Sequence, residues 1–231
     1  MTTPEARQQA LADILAQRVL VLDGAMGTML QQLNPTAADW GGADLVNCNE
    51  NLLRTRPDWV LGIHRKYFAA GADVVETNSF NCERISLGDF GLQDYVYELN
   101  VTAAKLARQA ADEFSTAAKP RFVAGSMGPT TKSITVMGGV TFPQLIEAYY
   151  ERAKGLMDGG ADILLAETCN DTRTVKAALI AIERLRKEIG RRVPLMVSGT
   201  IETMGTMLAG QTADAFCASV AHADLLSIGL N

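Results

Sequence analysis

Acidic and amide side chains recur in this sequence directly after short apolar runs. Asp23 follows Val19-Leu20-Val21-Leu22 and opens the turn Gly24-Ala25-Met26-Gly27-Thr28. Glu76-Thr77-Asn78-Ser79 follows Val74-Val75, Ser126-Met127-Gly128-Pro129 follows Phe122-Val123-Ala124, and Glu167-Thr168 follows Ile163-Leu164-Leu165-Ala166. A carboxylate in such a place is costly to bury alone. It must face solvent, pair with a cation such as Arg173, or receive a cationic ligand, for which the ammonium of an amino acid would serve. Glu167 is the stronger candidate and Glu76 the weaker, because the Glu76 side chain can point away from the strand end. The glycine-containing turn after Asp23 can aim backbone N–H groups at a ligand carboxylate; the competing reading is a tight turn in which Asp23 caps the next helix.

Other chemistry finds less support. The loop Ser126 to Lys132 lacks the Gly-Lys-Ser/Thr pattern of a phosphate cradle and reads as an ordered turn. Lys132 lies in that loop and not inside a strand, which argues against a Schiff-base lysine. His64 falls on the apolar stripe of a helix and His222 precedes a strand; neither has a ligand at metal-binding spacing, so both read as packing or capping residues. Cys48, Cys82, Cys169 and Cys217 have no close partner in sequence and read as reduced, mostly buried thiols. There is no G-x-S-x-G elbow, and the nine methionines are scattered core filler.

The elements that must position these groups follow from periodicity. Gly71-Ala72-Asp73, Gly160-Ala161-Asp162 and His222-Ala223-Asp224 each precede a short apolar run, which reads as a strand buried on both faces. With the runs at 18–23, 121–126 and 193–200, six strands are expected, ending near Asp23, Thr77, Ser126, Glu167, Thr200 and Asn231. Helices are expected between them. Thr55-Arg56-Pro57-Asp58 and Thr141-Phe142-Pro143-Gln144 match capping boxes with proline in the first turn, and Asp171 can cap a third helix. The apolar stripes are Val60, Ile63, His64 and Tyr67; Ile146, Tyr150, Ala153 and Met157; and Val175, Ala178, Leu179, Ile182 and Leu185. Gly71, Gly159-Gly160 and Gly190 stop these helices.

Strand–helix alternation means a parallel sheet, doubly wound or a (β/α)8 TIM-barrel. A dinucleotide-binding sheet would carry G-x-G-x-x-G after its first strand, and Gly24-Ala25-Met26-Gly27 does not. Polar groups at every strand's C-terminal end favour the barrel, incomplete here at about six of its eight strands. The 231 residues, 48% hydrophobic and 20% charged, carry ample core and show no composition break, so 1–231 reads as one domain. A net charge of −5 disfavours nucleic acid as a partner. No apolar run approaches the ~20 residues of a membrane span, and the N-terminus does not read as a secretory signal, so the cytoplasm is the expected location.

Taken together, Val21-Leu22-Asp23-Gly24-Ala25-Met26-Gly27-Thr28, Glu76-Thr77-Asn78-Ser79-Phe80, Gly125-Ser126-Met127-Gly128-Pro129, Glu167-Thr168 and Gly229-Leu230-Asn231 resemble the homocysteine S-methyltransferase family. Asp44-Leu45-Val46-Asn47, the helical segment after Phe80, Ser198-Gly199-Thr200-Ile201 and Ala209-Gly210-Gln211-Thr212 are similar to the branch that forms the N-terminal module of cobalamin-dependent methionine synthases. The resemblance runs from about residue 18 to the end. It implies a barrel whose Asp23 and Glu167 receive the homocysteine ammonium. The N–H groups around Gly24, Ala25 and Met26 would hold its carboxylate, and Asn78 and Ser126 would line the pocket.

The resemblance also implies zinc on three cysteines, one directly after a Gly-Leu-Asn and two in a Gly-Gly-Cys-Cys further on. These ligand positions are not among the 231 residues, so the chain is expected to be a C-terminally truncated module that alone binds no zinc and transfers no methyl group. In the family, zinc turns the homocysteine thiol into a thiolate that takes a methyl group from methylcobalamin, with 5-methyltetrahydrofolate as the ultimate donor. Cobalamin- and folate-binding modules of the same enzyme are the implied partners. The alternatives are a barrel that uses betaine or S-methylmethionine as donor, or a non-catalytic binding barrel.

Overall fold

The computed structural model describes residues 3–134 and 139–231. Among these, the strands β1 (Val74–Glu76), β2 (Phe122–Met127), β3 (Ile163–Cys169), β4 (Leu195–Gly199) and β5 (Ser227–Leu230) form one sheet in sequential order. The β1–β2, β3–β4 and β4–β5 pairings are parallel. The helices are α1 (Pro4–Leu15), α2 (Met26–Gln31), α3 (Ala37–Trp40), α4 (Leu52–Thr55), α5 (Pro57–Ala70), α6 (Arg84–Gly88), α7 (Val96–Phe114), α8 (Phe142–Asp158), α9 (Thr172–Ile189) and α10 (Ala213–Val220). Strand–helix–strand succession with sequential order is the pattern of a β/α barrel built in turn around its sheet, and with five strands the barrel is incomplete.

The chain divides into two compact units. The first comprises Met1–Ser79, Glu98–Gly125 and Gly155–Asp162. Val75, Phe122, Val123 and Ala124 are fully buried in it, as are Val60 and the alanines 103, 104, 107, 110 and 111 of α7. Small residues on α7 allow close approach. A Cβ on Gly159 would fall 2.5 Å from the Val101 carbonyl oxygen, so only glycine fits there. The aspartates that precede the strands have a shared task. Asp73 accepts the Val21 N–H at 2.9 Å and pairs with Arg18. Asp162 accepts the Val123 N–H at 2.9 Å and pairs with Arg7 and Arg108. Each therefore ties its own segment to the backbone of the preceding one and neutralises its charge with arginine.

The second unit comprises Phe80–Tyr97, Ser126–Lys154 and Ile163–Asn231. Asp171 caps α9, accepting the Thr174 N–H at 2.7 Å, and Gly190 ends it with φ +66°. Val175, Ala178, Ile182 and Leu185 are fully buried, as the stripe predicts. The third aspartate, Asp224, pairs with Arg192 at the surface.

Four expectations need correction. The run at 18–23 is not a strand: it makes a single bridge, Leu22 with Val74. Val19 and Val21 are 84% and 58% exposed, so one side of this segment has no neighbour among the described residues, and Asp73 replaces a main-chain acceptor for the Val21 N–H. Thr55 does not cap α5. Its hydroxyl donates back to the Asn51 carbonyl and Arg56 draws off Asp58, although Pro57 does open the helix. The Thr141–Gln144 box forms as expected, and Ala153 and Met157 of the predicted α8 stripe are buried, but Ile146 and Tyr150 are only half-buried and Leu145, Ala148, Tyr149, Arg152 and Leu156 complete the buried face instead. A fully buried arginine displaces an apolar residue from the pattern. In α9, Leu179 is only half-buried.

Candidate functional site

In the first unit, Asp23 is held at the end of the 18–23 segment by its own N–H, which donates to the Val74 carbonyl at 2.9 Å. Its Oδ1 accepts the Glu76 N–H at 2.9 Å. Helix α2 starts at Ala25 with no side-chain cap, so the carboxylate of Asp23 serves strand β1 and does not cap the helix. Gly24 and Ala25 are exposed, and Met26 is half-buried. Tyr67, which sequence reading placed only on a helical stripe, lies over this turn: a Cβ on Gly24 would sit 3.5 Å from its hydroxyl. Burial and the nearby Asp23 charge push the Tyr67 phenol up from its ordinary value. Asn78 is buried and donates to the Asn49 carbonyl at 2.8 Å, while Thr77 and Ser79 share a hydroxyl–hydroxyl bond at 2.6 Å.

In the second unit, the structure joins two of the predicted residues directly: the Ser126 hydroxyl donates to Glu167 Oε1. Ser126 is buried and Glu167 half-buried. Burial pushes the Glu167 carboxyl up from the ordinary glutamate value, against the Ser126 hydrogen bond and the positive charge of Arg152. Arg152 does not pair with Glu167. Its guanidinium is fully buried, donates to the carbonyls of Gly128 and Phe80 at 3.0 and 3.2 Å, and lies over the Tyr149 ring. Tyr149 donates to the same Gly128 carbonyl, and a Cβ on Gly128 would strike Phe80 at 2.7 Å. Arg152 thus fixes the loop after β2 and adds a positive field without neutralising the acid. The Glu167 carboxylate keeps one hydrogen-bond partner among the described residues, the Ser126 hydroxyl.

The end of β3 is irregular. Glu167 and Thr168 together face Ser198, because the register with β4 shifts between Ala166 and Cys169. This is a β-bulge, a device that re-aims side chains beside sites. Thr168 has φ +55°, a conformation that costs a β-branched residue on the order of 1–3 kcal/mol. Nothing in the sequence signals it, since threonine favours regular strands. Arg152 was also missed, because an arginine inside a helix reads as a solvated residue.

The cysteines and histidines stay outside this chemistry. None of the four cysteines is in a disulfide, and burial pushes Cys48 up to about 11 and Cys169 up to about 12, so neither of these two is a nucleophile at neutral pH. His64 is fully buried, with no hydrogen-bond partner among the described residues for either ring nitrogen. Among the described residues no group of three or more His, Cys, Asp or Glu side chains could hold a metal ion. The zinc that the family resemblance implies therefore finds no donor set here, and no step is derived through it.

Comparison with known proteins identifies the family. Residues 20–231 match the homocysteine S-methyltransferase family, and the chain belongs to it. It is 46% identical to the methionine synthase of Mycobacterium leprae over 221 residues and 44% identical to that of Mycobacterium tuberculosis. These matches cover 96% of this chain and only 18% of each relative's length. The metallated form of the homocysteine methyltransferase MmuM from Escherichia coli shares the fold, with a TM-score of 0.79 at 22% identity over 96% of this chain and 77% of that one. Among the described residues no helix is long and apolar enough to cross a membrane.

Proposed function

We propose that residues 1–231 form the greater part of the homocysteine-binding barrel of a cytoplasmic methionine synthase. Glu167, assisted by the Ser126 hydroxyl, receives the substrate ammonium. The observation that carries this is a half-buried carboxylate with one hydroxyl partner and a nearby arginine whose donors serve carbonyls instead. A bound ammonium would add a second, charge-assisted hydrogen bond and favour the ionised carboxylate against the burial that raises its pKa. A charge-assisted hydrogen bond of this kind is worth about 1.5–3 kcal/mol.

For the first unit, considered by itself, the family resemblance assigns Asp23 to an ammonium, the N–H groups around Gly24, Ala25 and Met26 to a carboxylate, and Asn78 to a pocket lining. The chain's own contribution is therefore to bind and orient the amino-acid end of homocysteine and leave the thiol free to react. Zinc, which the described residues would not hold, would supply thiol activation in the whole enzyme, and methylcobalamin recharged from 5-methyltetrahydrofolate would supply the methyl group.

The test is calorimetric titration of the full-length protein with homocysteine and with 4-mercaptobutanoate, which keeps the thiol and carboxylate but lacks the amine. Homocysteine should bind at least tenfold more tightly, as loss of one charge-assisted hydrogen bond requires. Equal affinities would end the ammonium assignment. Turnover with methylcobalamin but not with betaine or S-methylmethionine identifies the donor.

A further inference from the structure

The bulge at the end of β3 places two residues, Glu167 and Thr168, against one, Ser198. A regular strand there would alternate its side chains and pair each N–H with the neighbouring backbone. The extra residue breaks both rules, and three side-chain contacts hold the break in place. The Thr168 N–H donates to Ser198 Oγ at 3.1 Å, replacing the lost ladder acceptor. Asn231 Nδ2 donates to Thr168 Oγ1 at 3.1 Å. Asn231 is in turn fixed: Thr200 Oγ1 donates to its Oδ1 at 3.1 Å, and its N–H donates to the Gly199 carbonyl at 3.0 Å. Beyond the bulge the ladder resumes, with the Thr200 N–H donating to the Cys169 carbonyl at 3.0 Å.

A left-handed threonine persists only where its surroundings over-determine it. Here the surroundings are a serine, an asparagine and a threonine from the ends of β4 and β5, and the residue they constrain is the immediate neighbour of Glu167. We propose that Thr168 is a positioning residue: braced by Ser198 and Asn231 in a strained bulge, it aims the Glu167 carboxylate at the substrate. The inference rests on the reading that Glu167 receives the homocysteine ammonium. It adds that the aim of this carboxylate depends on a hydroxyl that never touches the substrate.

Thr168→Val keeps the shape and β-branching of the side chain but removes the hydroxyl that Asn231 binds. An ammonium contact misaimed by a fraction of an ångström weakens ground-state and transition-state binding together, so KM should rise and kcat should hold. In the full-length enzyme, Thr168→Val should raise the KM for homocysteine by about tenfold with kcat within about twofold. Thr168→Ser, which restores the hydroxyl, should return KM to the parent value. Ser198→Ala attacks the same bulge from the other strand and carries the test if the valine variant does not fold. It should raise KM in the same way and, combined with Thr168→Val, add little more, because the two act as one unit. A purely structural role would lower the melting temperature and scale kcat with the folded fraction, leaving KM alone, and that pattern overturns the inference. If Glu167→Gln raises KM while Thr168→Val and Ser198→Ala do not, the positioning role falls and the Glu167 assignment stands. If Glu167→Gln leaves KM unchanged, the assignment itself falls, and the inference with it.

Discussion

Strand β3 begins and ends at an acid, and the two acids are treated in opposite ways. Asp162, just before the strand, has Arg7, Arg108 and the Val123 N–H on its carboxylate. Glu167, near its far end, has the Ser126 hydroxyl, and the nearest guanidinium is turned to carbonyls. Asp73 repeats the first pattern: the Arg18 hydrogen bond holds its carboxyl below the ordinary aspartate range, whereas burial drives Glu167 above the glutamate range. A saturated buried carboxylate holds structure together. An unsaturated one has hydrogen-bonding capacity left over. In β/α barrels these roles separate along every strand, with stability at the N-terminal end and chemistry at the C-terminal end.

The largest effect expected from this contrast is on stability at the first end. Asp162→Ala would take a shared acceptor from the buried Arg7, the half-buried Arg108 and the Val123 N–H, with Arg108 keeping its pair with Asp112. Removing one partner of a buried pair costs about 3–5 kcal/mol, read as a fall in the urea midpoint. A loss below about 1 kcal/mol would show that the saturated acid is not a structural tie.

His64 sharpens the comparison, being buried and unpartnered but closed to any ligand. Burial lowers its pKa from 6.5 to about 4, so the folded state holds it neutral while the unfolded chain protonates. Because the unfolded state binds the extra proton, stability should fall as pH drops from 6.5 towards 4 and level off below. The total is roughly 3 kcal/mol at about 1.4 kcal/mol per unit. Denaturation at pH 7 and pH 4.5 should show this slope, and His64→Leu should flatten it. An unchanged slope in the variant would place the proton uptake elsewhere.

Asp73→Asn should lower the urea midpoint by less than Asp162→Ala, since Arg18 is 42% exposed and screened by solvent. Its depressed pKa makes the wild-type contribution present above the unfolded aspartate value and lost as pH falls through the folded one. The smallest stability effect belongs to Glu167→Gln, at most about 1 kcal/mol in either direction, because it removes a desolvated charge together with its single hydrogen bond.

Much of this was legible in the residues themselves. The Gly-Ala-Asp repeats marked strand starts because an aspartate that must pair with arginine and a neighbouring N–H cannot drift. Asp171, Gly190 and the Thr141–Gln144 box marked helix ends through backbone groups that need partners. Glu167 and Ser126 were legible because a polar residue after an apolar run has to be accounted for. The segment 18–23 misled, since Val19 and Val21 are apolar yet exposed, and pattern alone does not report whether a neighbour exists. Arg152, Tyr67 and the Thr168 bulge were illegible for a common reason: each depends on contacts with residues far away in sequence, and each breaks a local preference.

The account turns on Glu167, and the most direct measurement is homocysteine affinity in the full-length protein, comparing Glu167→Gln with Glu183→Gln, a change at an exposed carboxylate on α9. Loss of the ammonium contact should weaken binding by roughly tenfold to a hundredfold for Glu167→Gln, with zinc content unchanged and the Glu183 variant indistinguishable from the parent. Equal affinity in all three proteins would contradict the claim that the unsaturated acid at the end of β3 is the substrate's partner.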